Sequence, residues 1–289
     1  MIEIINCCFR LQRMAPAMTF LKRIFMCRPT FFKVSYSINP WMDVKNAVNH
    51  DVAMKQWESL KATIERCGAS VEVLEPIGAD RFPDIVFTAN AAVIRKRTAY
   101  LANFYYPERQ GERLFYEKWF RENGYETVGN RDIPFEGAGD ALWGGRDKSV
   151  LFVGVGPRTD VRALGDVADK LDDGSRFKVL GCRLIDPRFY HIDTCFCPLD
   201  DELAMFFPYA FDAISRHNIS NETGLIPIPE KDANQFACNA VVIGKTIIMH
   251  KCSPETVKIL GKHGFDVKFT DMSEFLKSGG SAKCCTLEL

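Results

Sequence analysis

Apolar positions along this chain follow two rhythms that alternate at near-regular intervals. Short apolar runs come in pairs across tight turns. Each pair is followed by a longer stretch whose apolar residues recur every three or four positions. The first rhythm places alternate side chains on one face of a strand, and the second places them on one stripe of a helix. One clear copy runs through Ala91–Arg95, a basic turn and Thr98–Phe104. Pro107-Glu-Arg-Gln-Gly-Glu112 then opens a helix to Phe120, stopped near Gly124, and Tyr125–Val128 is the next strand. Another runs through Ala240–Ile243, a Gly-Lys turn and Thr246–His250. Its Ser253-Pro-Glu-Thr256 reads as an N-cap with proline in the first turn, and the helix runs to about Lys262 before strand Asp266–Thr270. Weaker copies pair a helix at Gln56–Arg66 with a strand at Val71–Leu74, one at Val161–Leu171 with Phe177–Leu180, and one at Pro208–Arg216 with Gly224–Pro227.

A small polar or acidic residue opens an apolar stretch in each repeat: Asn39, Asn90, Asp140, Asp193 and Asn239. A unit of this size cannot bury a core alone, so the units pack round a shared axis. Residues opening equivalent strands then meet near that axis. The expectation is a ring of α/β modules with these five side chains at its hub.

Composition narrows the partners. Lys+Arg and Asp+Glu are equal at 37 each, which leaves no basic field for a nucleic-acid backbone. No apolar run reaches the ~18 residues of a membrane-spanning helix. The 11 cysteines lack zinc-ligand or CxxC spacing and read as buried free thiols of a reducing compartment. Neither a metal site nor a cofactor is expected. The expected location is cytoplasmic. Residues 1–20 form an N-terminal extension whose basic bias leaves organelle targeting as a minor alternative, and residues 21–289 form one catalytic domain.

Candidate chemistry lies at the hub. His191-Ile-Asp193 puts both polar side chains on one face if the segment is a strand. Gly279-Gly-Ser-Ala-Lys-Cys284 is a pliant loop that brings a thiol back to the same centre, with Cys285 as rival. A thiolate attacks an electron-poor carbon, and an imidazole moves the protons, first as acid and then as base. Glu136-Gly-Ala-Gly-Asp140 supplies two carboxylates, which a planar guanidinium satisfies. Arg109 and Arg158, each following a hairpin, are expected to receive an α-carboxylate.

With FEGAGD (135–140), PERxGE (107–112), GPRTD (156–160), HID (191–193) and GGSxxC (279–284) in this order, the chain resembles the guanidine-modifying superfamily. That superfamily contains arginine deiminases, dimethylargininases and amidinotransferases. INPWMD (38–43), TANAAV (88–93) and FEGAGD look most like its arginine dihydrolase group, whose members convert arginine to ornithine, ammonia and carbon dioxide. The resemblance implies a five-bladed pseudo-symmetric α/β propeller. It implies Cys284 as nucleophile forming a covalent thiouronium, His191 as acid and then base, and Glu136 and Asp193 as holders of the guanidinium. Arg109 and Arg158 match positions near the substrate carboxylate, and Asn39, Asn90, Asp140 and Asn239 belong to the binding set. Deiminases and dimethylargininases usually carry aspartate at the position of Asn90. The extra residue in EGAGD, against the commoner EGGD, leaves the register of Glu136 and Asp140 open.

The expected activity is therefore hydrolysis of the guanidinium C–N bonds of arginine, twice per substrate. The alternatives are dimethylargininase or deiminase chemistry that stops at citrulline, and a catalytically silent arginine-binding propeller. The partner is a small guanidino compound, and a homo-oligomer is left open.

Overall fold

The computed structural model describes residues 22–289. The expected N-terminal extension, with its targeting alternative, lies outside the described residues. The strands in chain order are β1 (Arg23–Cys27), β2 (Ser70–Leu74), β3 (Ala92–Arg95), β4 (Thr98–Leu101), β5 (Glu126–Gly129), β6 (Ala141–Gly144), β7 (Val150–Val155) and β8 (Lys178–Arg183). They continue with β9 (Phe196–Pro198), β10 (Leu203–Phe206), β11 (Gly224–Pro227), β12 (Val241–Ile243), β13 (Thr246–Met249), β14 (Asp266–Phe269) and β15 (Leu287–Glu288). They form five sheets of three strands. In four of them an antiparallel hairpin is followed by a strand parallel to its second member, as in β3-β4-β5 and β12-β13-β14. A parallel return needs a crossover, supplied by the helices Glu112–Glu122, Ala163–Lys170, Ala213–Ser220 and Pro254–Lys262. The modules make a five-bladed α/β propeller.

Local chemistry sets the helix starts. Ser253 and Asp212 accept from the amides of Thr256 and Ser215. Asp212 thereby moves the expected helix at Pro208–Arg216 forward to Ala213–Ser220, leaving only a 3-10 turn at Pro208–Ala210. The core lies between modules. One cluster joins Leu142 and Phe152 to Phe196 and Met205, and these to Ile247 and Met249, all buried. No blade closes its own core, which is why the repeat has to form a ring.

The first module differs from the expected one. Its antiparallel pair joins the two ends of the described chain, with Ile24 opposite Glu288 and Phe25 opposite Leu287, and β1 runs parallel to β2 beyond the helix His50–Arg66. Asn39 therefore opens no strand. It sits in the turn-rich segment between β1 and that helix, and its even spacing from Asn90 does not mark a repeat. The fifth strand-opening position belongs to Cys284, just ahead of β15. The nucleophile candidate thus stands at a hub position of the ring.

His191 and Asp193 are not on a strand. Ile192–Thr194 is a 3-10 turn, and the Thr194 hydroxyl donates to the His191 carbonyl at 2.6 Å. Comparable helical turns, Thr88–Ala91 and Gly137–Asp140, precede β3 and β6. Such a turn breaks the two-residue alternation and sends the two side chains to different neighbours.

Candidate active site

The hub holds two clusters. In the first, Cys284 is 3% exposed and its Sγ donates to Asp193 Oδ2 at 3.4 Å. Asn239 fixes the thiol from beside it. Its Oδ1 accepts from the backbone N–H groups of Ser281 and Cys284, both at 3.1 Å. Its Nδ2 donates to Cys284 Sγ at 3.1 Å and to the Asp193 carbonyl at 3.0 Å. That uses the whole hydrogen-bonding capacity of the amide. Asn239, expected to bind substrate, is therefore spent on shaping the cysteine loop. Gly279 takes φ +81, and a Cβ on Gly280 would lie 2.5 Å from the Phe87 ring, so the loop needs both glycines. Tyr190 ties it down by donating to the Gly279 carbonyl at 2.7 Å.

Burial pushes the Cys284 thiol well above its ordinary proton affinity, and the neighbouring Asp193 adds to the effect. Burial likewise raises Asp193 to about 7, against the opposing charge of Lys283. Asp193 Oδ1 is fully buried and has no hydrogen-bond partner among the described residues. An orphaned buried acceptor is costly, and here it sits on the carboxyl group that touches the thiol.

The second cluster is charge-saturated. His191 Nε2 stands 2.6 Å from Glu136 Oε2, and Arg158 Nη1 donates to the same oxygen at 2.9 Å. The Tyr105 amide donates to Glu136 Oε1 at 3.2 Å. The Arg158 guanidinium lies between the rings of Tyr106 and Tyr190, 4.7 Å from each, and also donates to the Ile38 carbonyl. Burial alone would raise Glu136, but the Arg158 cation and the His191 hydrogen bond outweigh it and hold the carboxyl well below its usual range. An ionised Glu136 only accepts, so His191 donates from Nε2. Burial lowers His191 to about 4 despite Glu136, with Arg158 and Arg109 also opposing its charge. The resting imidazole is neutral at pH 7. Among the described residues it makes no hydrogen bond to Cys284.

A cavity of about 10 Å³, lined by Asn39, Asp84, Asn90, Arg109, Arg158 and Cys284 among others, borders both clusters. It has room for roughly one water. Asn90 has a defined orientation. Its Oδ1 accepts from Arg109 Nη1 at 3.0 Å, and a guanidinium cannot accept, so Nδ2 must face the other way, toward the Glu136 carbonyl at 3.2 Å. A Cβ on Gly139 would fall 2.1 Å from that Nδ2, and Gly137 takes φ +59 against the Ala89 and Asn90 backbone. The glycines of EGAGD admit Asn90 to the hub.

The register of that segment is settled by contacts. Glu136 faces the imidazole. Asp140, expected in the binding set, accepts from the Thr159 hydroxyl at 2.7 Å and from the Ile192 amide at 3.2 Å, and it does not line the cavity. It pins the His191 turn to the third blade. Arg109 lies in the helical turn Pro107–Gln110, gripped by Glu112 through two bonds of 2.8 Å. Asn39 donates to the Ser278 carbonyl at 3.1 Å and accepts from the Trp41 amide at 3.0 Å, at the cavity edge.

Sequence reasoning missed Asp84, whose carboxylate accepts from Tyr36 at 2.8 Å and Ser278 at 3.0 Å and lines the cavity. Its one signal was an acid inside the apolar run Phe82–Phe87. Tyr190 carried none. No cluster of metal-ligating side chains occurs among the described residues. No helix there is long and apolar enough to cross a membrane.

A sequence profile described as N,N dimethylarginine dimethylhydrolase, eukaryotic, matches residues 35–289. The bifunctional arginine dihydrolase/ornithine cyclodeaminase ArgZ of Synechocystis is 42% identical over 92% of this chain and 37% of its own length. The chain thus spans well under half of that relative. The N(G),N(G)-dimethylarginine dimethylaminohydrolase of Mycobacterium tuberculosis is 40% identical over 93% of this chain and 86% of its own length. The crystal structure of the substrate-bound N-terminal domain of ArgZ superposes with a TM-score of 0.87 at 42% identity, covering 92% of this chain and 97% of that domain. The citrulline complex of the Pseudomonas aeruginosa dimethylargininase, at 20% identity and a TM-score of 0.77, shares the fold.

Proposed function

The chain belongs to the N,N-dimethylarginine dimethylhydrolase family, and on that premise we propose that it hydrolyses the guanidinium C–N bonds of arginine through a covalent Cys284 intermediate. The observation that carries this reading is the orphaned Asp193 Oδ1 beside the thiol. A guanidinium N–H supplies the missing donor and sets its carbon within reach of Sγ.

The charges give the order of events. The resting pair is a thiol and a neutral imidazole. An arriving cation favours the thiolate by Coulomb attraction, and the thiol proton passes to His191. Sγ bonds to the guanidinium carbon, and the C–N bond breaks as His191 protonates the departing ammonia. His191 then takes a proton from water, which attacks the thiouronium and frees citrulline and Cys284. Glu136 steadies the transient imidazolium. Asp84 suits an α-ammonium. Arg158, with two of its five N–H groups committed, suits an α-carboxylate better than Arg109 does.

Asn90 favours a second round. Its Nδ2 carries one N–H beyond that given to Glu136 and can donate to a neutral ureido oxygen, which an ionised aspartate cannot. Citrulline then stays bound, is attacked again and loses its second ammonia. Hydrolysis leaves a carbamate that falls to ornithine and carbon dioxide. ArgZ and the related AgrE of Nostoc are arginine dihydrolases by name. The second reading, release of dimethylamine from dimethylarginine, is favoured by the family description and the Mycobacterium relative. Product analysis separates them. The wild-type chain is expected to give ornithine and two ammonia per arginine, and Asn90→Asp to stop at citrulline. Citrulline in equal yield from both proteins removes the argument from Asn90.

A further inference from the structure

The inner strands of the ring have two ends. Asn90, Glu136, His191, Asp193 and Asn239 precede the strands at one end. The hairpin turns that follow β3, β6, β9 and β12 gather at the other, where they surround a pore of about 670 Å³. That is the size of pockets that hold small organic ligands. Its walls are apolar at Leu142, Trp143, Phe196, Val241 and Leu287, and charged side chains of both signs line the rest. Charges at its mouth are mostly matched: Lys22 and Lys148 share Glu288 at 2.7 and 2.9 Å, and Asp200 takes Lys245 at 2.7 Å.

Among the cations lining the pore Lys283 is the exception, while Asp147 and Asp201 are acids without an ion pair among the described residues. Lys283 lines the pore while the adjacent Cys284 lines the catalytic cavity, so consecutive residues face opposite chambers. Among the described residues its ammonium meets only the Thr286 carbonyl, at 3.3 Å, and no carboxylate within ion-pair distance. An ammonium in a partly apolar chamber attracts an anion more strongly than the same group in water does. It is also the cation that most favours ionisation of Asp193 on the other side of the wall.

We propose that the axial pore binds a small organic monocarboxylate with an apolar tail, its carboxylate on Lys283 and its tail against the strand walls, and that occupancy weakens arginine binding at the catalytic face without entering the catalytic cavity. The inhibition rests on the catalytic reading above. A negative charge on Lys283 cancels the positive potential that favours ionised Asp193, so the carboxyl holds a guanidinium less well. Binding itself does not depend on that reading.

The test uses the full chain and hexanoate, read by the fluorescence of Trp143 with Trp143→Phe as blank, in parallel with arginine turnover. Saturable binding is expected, weakened at least tenfold in Lys283→Met, retained in Lys283→Arg, and lost in Val242→Phe, which fills the mouth. Hexylamine is expected to leave the signal unchanged. Turnover at low arginine should fall with KM for arginine raised and kcat little changed, and Val242→Phe should remove that sensitivity. No saturable signal, or equal binding in Val242→Phe, overturns the site. Binding without inhibition overturns the coupling alone. Inhibition that persists undiminished in Val242→Phe places hexanoate in the catalytic cavity and overturns both.

Discussion

The two clusters of the hub are built on opposite principles. Around His191, every charge is answered: Glu136 accepts from an imidazole, a guanidinium and a backbone amide. Around Cys284 the thiol is unionised, the aspartate is raised to about 7, and one carboxylate oxygen has no partner among the described residues. One cluster is complete at rest, and in the proposed reaction the other is completed by a cation. The contrast locates where binding energy is gained and where protons move. A buried ion pair is rigid and holds its geometry without a ligand, whereas an orphaned acceptor recovers its desolvation cost only when a donor arrives.

The strongest way to break this division is at the thiol. Cys284→Ser keeps the size and the hydrogen bonds but not the nucleophile. Turnover is expected to fall at least ~10⁴-fold, while calorimetry still detects arginine binding, because the acceptor on Asp193 is untouched. Loss of binding together with turnover would place substrate affinity in the sulfur instead. On the complete side, Glu136→Gln is expected to lower kcat by about 10²–10⁴-fold, since the imidazolium formed during transfer loses its counter-charge. It should also cost stability, because Arg158 is left buried beside a neutral amide. A variant with undiminished kcat and a raised KM would make Glu136 a binding group.

How much of this was readable beforehand follows from range. The blades were legible because hairpins, caps and helix stops are local: Ser253 and Gly264 act on their own neighbours. Ring closure was not, because β15 is a two-residue strand whose partner β1 lies at the far end of the described chain. That is why Asn39 took the hub position that belongs to Cys284. The alternation in His191-Ile-Asp193 suggested a shared face, but a hub turn overrode it and sent one side chain to each cluster. Asp84 and Lys283 were silent because their roles come from what faces them across the hub and not from spacing.

Acidity gives a subtler test of the same contrast. Asp193 must be ionised to hold a cation, and in the free protein burial raises it to about 7. Its ionised fraction grows with pH, so kcat/KM is expected to rise through an acid limb near neutrality. Bound guanidinium favours the carboxylate and lowers the same group, so the limb in kcat should lie about a unit or more lower. His191, neutral above about 4 in the free protein, places no limb between the two. Coincident limbs in the two profiles would mean that the substrate does not touch Asp193.

The smallest expected effect comes from the hub's other raised aspartate. Burial pushes Asp140 well above the usual carboxylate range, as it does Asp193, yet both Asp140 oxygens have partners. A neutral amide can copy those contacts. In Asp140→Asn the carbonyl takes the Ile192 amide, and the NH₂ donates to Thr159 once that hydroxyl turns. Stability is expected to change by no more than about 1 kcal/mol and kcat/KM by no more than about threefold. Asp193→Asn, by contrast, removes the charge that the substrate requires. If Asp140→Asn lost activity as steeply as Asp193→Asn while melting at the wild-type temperature, Asp140 would belong to the chemistry. The distinction between satisfied and orphaned carboxylates would then fail as a guide to this hub.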